Sequence, residues 1–254
     1  MKYSIIIPAY NEEKRIGVTL DDYCSYFSKF PKGEVEIIVV LNGCVDNTLM
    51  VVKEYAKKYA VLRYVDIKEA IRKGGAVIEG FKIAKGDLIG YADADGATRA
   101  QYYYDLVKNI NNADGVIASR WMEGAIVEPK QPLIRRIASR AFNLMTKILF
   151  GLDYFDTQCG CKLFRKEAIG RVISSLRTTG WAFDVDLLYQ MKRFGLKIKE
   201  VPTVWRDRTG SSINVRKVSI EMFLAIARLR LVYSPFRFVV DFYNKIAYGF
   251  GIKF

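Results

Sequence analysis

The stretch Gly90–Ala100, GYADADGATRA, places two carboxylates, Asp93 and Asp95, at the mouth of an apolar run. A carboxylate there is costly to bury unless something positive meets it. Residues two apart on a strand point to one side, so both acids can aim at a point just past the strand's end, and Gly96 lets the chain turn away. The chain contains no histidine, which removes Ser-His-Asp chemistry and histidine-bound zinc. Two converging carboxylates without histidine suit a hard cation, Mg²⁺ or Mn²⁺, which usually takes one or two protein carboxylates plus substrate phosphates. A DxD triplet is short, and a turn cap beside a solvated acid would read the same. Its place at the end of a strand favours the metal.

The elements that must position these acids are legible as an alternation. Apolar, β-branched runs at 3–8, 35–41, 61–66, 87–92 and 114–119 are separated by stretches of helical spacing such as DNTLMVVKEYAKKYA and GGAVIEGFKIAKG. This predicts βαβ units on a mostly parallel sheet, an α/β class. Ligands of such sheets bind beyond the carboxyl ends of the strands, where PAYNEE, LNGCVDNT and DADGAT stand. Pro8 and Tyr10 occupy the first turn in place of GxGxxG, which disfavours dinucleotide redox chemistry. RKGGA, with Lys73, could bring a lysine and backbone amides to a phosphate, or could be simple turn chemistry.

The second half differs in kind. Over Pro132–Phe150, Ile134, Ile137, Ala138, Ala141, Met145 and Ile148 share one helical face, while Arg136, Arg140, Asn143 and Lys147 fall on the other. Such a basic amphipathic helix packs its apolar side on a core or lies on a membrane. KVSIEMFLAIARLRLVYSPFRF predicts a further helix ending near Ser234-Pro235, and the tail after it interleaves Phe and Tyr with Arg and Lys, as interfacial segments do. We divide the chain into a domain at 1–212 and a basic, aromatic tail at 213–254.

Charge and composition bound the rest. The 254 residues are 51% hydrophobic with a net charge of +13, and after Arg208 seven Lys or Arg face only Glu221 and Asp241. That balance suits anionic headgroups, nucleic acid or phosphorylated substrates. Four acids, Asp93, Asp95, Asp184 and Asp186, and the lack of a nucleic-acid motif argue against nucleic acid. No run reaches the ~18 apolar residues of a membrane span. The start, KYSIIIP, is too short for a signal peptide, so the expected location is cytoplasmic. The four cysteines lack a CxxC pair and read as reduced thiols.

Several motifs in order resemble a known family. SIIIPAYNEEKRI, NGCVDNT, KGGAVIEGF, YADADGAT, ASR at 118–120, RRIASRAFN, DTQCGCKLFRKEA, WAFDVDLLY and EVPTVW are similar to the inverting, nucleotide-sugar-dependent glycosyltransferases of the GT-A fold, of the dolichyl-phosphate glucosyltransferase and mannose synthase type. The resemblance implies that Pro8, Ala9, Tyr10 and Glu12 bind the nucleoside, with Asn42 and Asp46 near base and ribose. Lys73 and Ala94 join this donor side, and Asp93 and Asp95 match the acids that hold the divalent cation against the diphosphate. Arg120, Arg136, Ser139 and Arg140 match the region receiving a lipid phosphate, with Gln158 in the acceptor loop and Arg208, Ser211 and Arg216 in a segment that closes over it. Asn42 stands where the family usually carries an acid, and Ala97 where mannose synthases offer a third metal ligand.

The implied donor is UDP-glucose or GDP-mannose, the implied acceptor a dolichyl or polyprenyl phosphate. The enzyme would then sit peripherally on the cytoplasmic face of an anionic membrane. A phosphomonoester with a second pKa of about 6 is already a nucleophile near neutral pH. Were the acceptor a saccharide hydroxyl, as in cell-surface polysaccharide synthesis, Asp184 or Asp186 would be the base; equally, both could be acids favoured at a helix N-terminus.

Overall fold

A computed structural model of the chain describes residues 1–206, 215–238 and 240; in 215–217 only the backbone is described. In chain order the elements are β1 (Tyr3–Ala9), α1 (Ile16–Phe27), β2 (Val35–Asn42), α2 (Thr48–Lys58), β3 (Leu62–Ile67), α3 (Arg72–Ile83), β4 (Leu88–Ala92), α4 (Ala100–Asn109), β5 (Gly115–Ser119), β6 (Ile126–Glu128), α5 (Leu133–Phe150), β7 (Cys161–Arg165), α6 (Lys166–Val172), α7 (Phe183–Arg193), β8 (Ile198–Pro202), β9 (Val204–Arg206) and α8 (Val215–Val232). The five strands expected from the apolar runs form within a residue or two of the expected bounds.

Seven strands make one sheet in the order β3-β2-β1-β4-β7-β5-β8, and β6 pairs with β9 apart from it. Neighbours are parallel except β7, which runs antiparallel between β4 and β5. The alternation of side chains divides the core into two layers. Ile5 and Ile7 face α1, α2 and α4, whereas Ile6 faces the layer of α3, α5, α6, α7 and α8. Burying both faces is what lets β1 and β2 read as continuous apolar runs.

The amphipathic reading of α5 is corrected by the structure. Its inward stripe is Phe142, Asn143, Thr146 and Phe150, while Ile134, Ile137 and Ile148 are exposed. Asn143, expected on the polar face, goes inward because it clamps the following loop: its Nδ2 donates to Phe155 O at 2.5 Å and its Oδ1 accepts from Thr157 Oγ1 at 3.1 Å. α8 behaves alike. Ile226 and Leu229 enter the core, and Ile220, Phe223 and Leu224 remain outside. The first part of the tail thus packs on the domain through one face.

Candidate active site

β1, β2 and β4 end on the same edge of the sheet, and the loops that follow them converge there. β4 stops at Ala92, and its last ladder bond continues as Asp93 N to Gly160 O at 3.0 Å. Asp95 therefore lies in a turn rather than on the strand. Its Oδ1 accepts from Ala97 N at 3.0 Å, and Gly96 turns the chain at φ 66°. Burial, then the neighbouring Asp93 charge, raises the Asp95 pKa above the ordinary range. Two carboxylates crowded in this way lower each other's energy most by sharing a cation, so the donor set fits Mg²⁺ or Mn²⁺. Among the described residues no group of three or more acids or cysteines forms a complete metal cage, and solvent or substrate oxygens would fill the rest of the shell.

Lys73, on the first turn of α3, is the nearest cation. Its Nζ lies 2.7 Å from Asp93 Oδ1 and 3.7 Å from Asp184 Oδ2. Burial works against its charge, but Asp184 and Asp93 outweigh that and raise its pKa. Its neighbour glycines serve packing: a Cβ on Gly74 would meet Phe183 at 2.5 Å, and the Gly74 amide is already bonded to Thr179 O at 2.9 Å. So the amide of Gly74 is committed to the fold, and of RKGGA it is the lysine that reaches the site.

Asp184 and Asp186, both in the first turn of α7, go different ways. Asp184 accepts from Lys162 Nζ at 2.5 Å and from Tyr91 Oη. Burial favours its neutral form, yet Lys162 and Lys73 hold its pKa below the usual value. Asp186 turns toward α8 and accepts from Tyr233 Oη at 2.6 Å and from the amides of Arg177 and Thr178 at 2.6 and 3.0 Å. Burial nonetheless raises its pKa.

On the nucleoside side, Pro8 and Ala9 end β1, and Tyr10 is exposed beyond them. Glu12 forms a two-pronged pair with Arg15, both contacts 2.7 Å; burial raises its pKa against that pairing, and the Asp95 and Asp93 charges add to the rise. Asn42 is buried, with its Oδ1 accepting from Ile71 N at 2.6 Å. That oxygen anchors the entry to α3, leaving Nδ2 as the group Asn42 could offer a base. Asp46 accepts from Thr48 N and Oγ1 and from Glu13 N, at 3.0, 2.5 and 3.1 Å, and so ties the loops after β1 and β2 together. Ala94 is buried, its carbonyl accepting from Thr19 Oγ1 at 2.7 Å.

On the acceptor side, Arg120 follows β5 and grips Asp156 through Nε and Nη2 at 2.7 and 3.0 Å. Its guanidinium lies 5.5 Å from the Trp205 ring, with that of Arg135 at 5.6 Å, and Asp93 contributes to its electrostatic surroundings. Ser139 Oγ accepts from Trp121 Nε1 at 3.2 Å, and Arg140 lies over the same ring at 5.4 Å. Arg136 is exposed on the outside of α5. Gln158 Nε2 is buried without a hydrogen-bond partner. Arg208 and Ser211, with the side chain of Arg216, lie outside the described residues.

The structure therefore brings Asp93, Asp95, Lys73 and Asp184 together, with Glu12 and Arg120 within electrostatic range, and does not bring Asp186 or Arg136 to them. Sequence reasoning missed Lys162, Gly160, Arg15 and Asp156. A lysine inside the apolar strand CKLF was the available sign, since lysine is almost never fully buried unless paired.

The architecture is that of the GT-A-fold glycosyltransferases. The fold is shared with glucosyl-3-phosphoglycerate synthase from Mycobacterium tuberculosis in complex with uridine diphosphate, at TM-score 0.66 and 18% identity, covering 89% of this chain and 78% of that one. Mannosyl-3-phosphoglycerate synthase from Rubrobacter xylanophilus superposes at TM-score 0.67 and 19% identity, covering 91% and 74%.

Residues 4–173 match the profile of Glycosyl transferase family 2, and the chain belongs to that family. It is 32% identical to dolichyl-phosphate beta-glucosyltransferase of Dictyostelium discoideum over an alignment of 243 residues that covers 91% of this chain and 74% of that protein. The Homo sapiens enzyme of the same name is 34% identical over 229 residues, covering 83% of this chain and 69% of that one.

Proposed function

We propose that this glycosyltransferase moves glucose from UDP-glucose, with inversion, to the phosphate of a dolichyl or polyprenyl carrier at a membrane surface. The observation that carries the reading is the meeting of Asp93, Asp95 and Lys73 at the carboxyl edge of β4, in a chain similar over most of its length to dolichyl-phosphate beta-glucosyltransferases. A Mg²⁺ or Mn²⁺ ion on Asp93 and Asp95 would supply Lewis-acid neutralisation of the leaving diphosphate. Lys73 adds a second positive charge beside it, preorganised by Asp184. Arg120, oriented by Asp156, is the arginine best placed to draw the acceptor phosphate toward the sugar. A carrier phosphate oxygen then forms the new bond to the anomeric carbon as the bond to the diphosphate breaks on the opposite face, and UDP departs.

The two α7 acids support a phosphate acceptor over a hydroxyl. Asp184 is committed to Lys162, Lys73 and Tyr91, and Asp186 to Tyr233 and two amides. Neither is placed to take a proton, and a phosphomonoester, with a second pKa of about 6, needs no base. Asn42, with its Oδ1 engaged, offers an N–H donor that a carbonyl of uracil or of guanine can accept alike, so the choice of UDP-glucose over GDP-mannose is supported by the similarity to dolichyl-phosphate beta-glucosyltransferases.

Membrane association follows from the outward faces of α5 and α8. Ile134, Ile137, Leu144 and Ile148 on α5, with Ile220, Phe223 and Leu224 on α8, are exposed together with basic side chains such as Arg136, Arg140 and Lys147. This is the composition of segments that lie in an anionic interface, here on the cytoplasmic face. No helix among the described residues is long and apolar enough to cross a membrane. The proposal is tested by offering UDP- and GDP-sugars with dolichyl phosphate, polyprenyl phosphate or soluble saccharides and Mg²⁺ or Mn²⁺. Mass analysis should find a hexosyl lipid phosphate from UDP-glucose; transfer to a saccharide alone would overturn it.

A further inference from the structure

Of the two lysines beside Asp184, only one has a choice of partner. Lys162 is fully buried, bonded to Asp184 Oδ1 at 2.5 Å and to Cys159 O at 2.6 Å. Lys73 is about a third exposed and sits between two carboxylates, 2.7 Å from Asp93 Oδ1 and 3.7 Å from Asp184 Oδ2. Its backbone is fixed on both sides, since Arg72 starts α3 at φ 66° and the Gly74 amide is tied to Thr179 O. Only the flexible four-carbon stem is left to move.

Asp93 Oδ2 is packed against the backbone of Gly160, which leaves Oδ1, the oxygen that Lys73 holds, as the one a divalent ion on Asp93 and Asp95 would take. An ammonium and a divalent cation repel steeply at such separations, so each weakens the other's hold on Asp93 Oδ1. Asp184 offers Lys73 a second seat on its own side, and a donor diphosphate brings further negative charge to the same edge.

We propose that Lys73 and a divalent cation compete for Asp93, and that Lys73 hands Asp93 over to the cation, passing to Asp184 and to the diphosphate of the nucleotide sugar. The hand-over makes cation and nucleotide bind cooperatively, because each removes a cost that the other would meet alone. It rests on the reading of Asp93 and Asp95 as metal ligands. Lys73 is thus a positioning residue whose effect is on coupling, beyond any fixed attraction for phosphate.

The test is Mn²⁺ binding followed by electron paramagnetic resonance, with and without UDP, in the wild-type chain, Lys73→Met and Lys73→Gln. In the wild type UDP should tighten Mn²⁺ binding strongly; in both variants Mn²⁺ alone should bind about tenfold tighter, and the tightening by UDP should shrink by about tenfold, within the usual range of couplings between sites. A lysine that acted only as a fixed charge would shift both affinities yet leave the coupling unchanged, and an unchanged coupling overturns the hand-over. The metal reading fails separately if the wild type binds no Mn²⁺ even with UDP, or if Asp95→Asn binds it as well as the wild type.

Discussion

The carboxylate of Asp93 occupies the space that a side chain on Gly160 would fill. A Cβ built on Gly160 would overlap Asp93 Oδ2, and the Gly160 carbonyl accepts the Asp93 amide at 3.0 Å. The residue that leads into the antiparallel strand β7 thus holds the first acid of the DxD pair from behind, and glycine is the residue that permits it.

Gly160→Ala should therefore disturb the acid more than the fold. The obstructed atom is the end of a side chain that can rotate, so the melting temperature should change by only a few degrees. Mn²⁺ binding in the presence of UDP should fall at least about tenfold, equivalent to ~1.4 kcal/mol, as Asp93 is pushed aside. Calorimetric titration that found wild-type affinity in this variant would show that the close approach does not govern Asp93.

Asp95 gives a prediction with a definite sign. Its folded pKa is raised by burial and then by Asp93, so between the unfolded and folded values the native state holds more protons than the unfolded state. Stability of the metal-free protein must then fall as pH rises through that window, and above it the charged pair is a standing cost. Asp95→Asn removes the cost while keeping an oxygen for the Ala97 amide. The variant should melt at or above the wild-type temperature in EDTA, lose the stabilisation that Mn²⁺ with UDP gives the wild type, and lose sugar transfer. A large drop in its melting temperature would mean that Asp95 carries structure.

Tyr233→Phe separates the two acids of α7. It leaves buried Asp186 with its two amide donors and without the hydroxyl contact at 2.6 Å, an expected loss of about 1–3 kcal/mol in urea unfolding. Turnover should stay within a few-fold of wild type, because Asp186 faces α8 and not the DxD pair. A folded variant with turnover down by orders of magnitude would return Asp186 to the chemistry.

The outward face of α5 can be tested by charge. Ile137→Glu and Ile148→Glu replace residues that are 60% and 72% exposed, and surface changes of this kind usually alter stability by no more than ~0.5 kcal/mol. Flotation with phosphatidylserine vesicles should fall sharply for the double variant while its melting curve is unchanged. Unfolding of the variant would place these side chains in a core, and undiminished flotation would place the membrane contact elsewhere.

How far the sequence could lead is clearest residue by residue. The strands β1, β2, β4 and β5 were legible because they are largely buried on both faces and read as nearly unbroken apolar runs, whereas the edge strand β3, LRYVDI, is mostly half-buried and carries Arg63 and Asp66. The DxD pair was legible because two acids at the end of such a run are costly unless a cation meets them. β7 was hidden: CKLFR is short, carries a lysine and pairs across a long sequence gap, so its place between β4 and β5 depends on tertiary contacts that local pattern does not contain. Asn143 failed for a related reason. Polarity put it outside, and only the loop it clamps, more than ten residues on, puts it inside. Periodicity set Ile134, Ile137 and Ile148 against Arg136, Arg140 and Lys147, yet the structure exposes both sets and buries the stripe of Phe142, Thr146 and Phe150 that runs beside them with Asn143.

Sugar transfer to a lipid phosphate through the DxD pair can be measured outright, by supplying radiolabelled UDP-glucose, dolichyl phosphate in anionic vesicles and Mn²⁺ and following label extracted into organic solvent. A glucosyl lipid phosphate should form with the wild type, be absent without dolichyl phosphate and be absent with Asp95→Asn. Label that stays in the aqueous phase as a glucosylated saccharide, or lipid label that persists with Asp95→Asn, would contradict this mechanism.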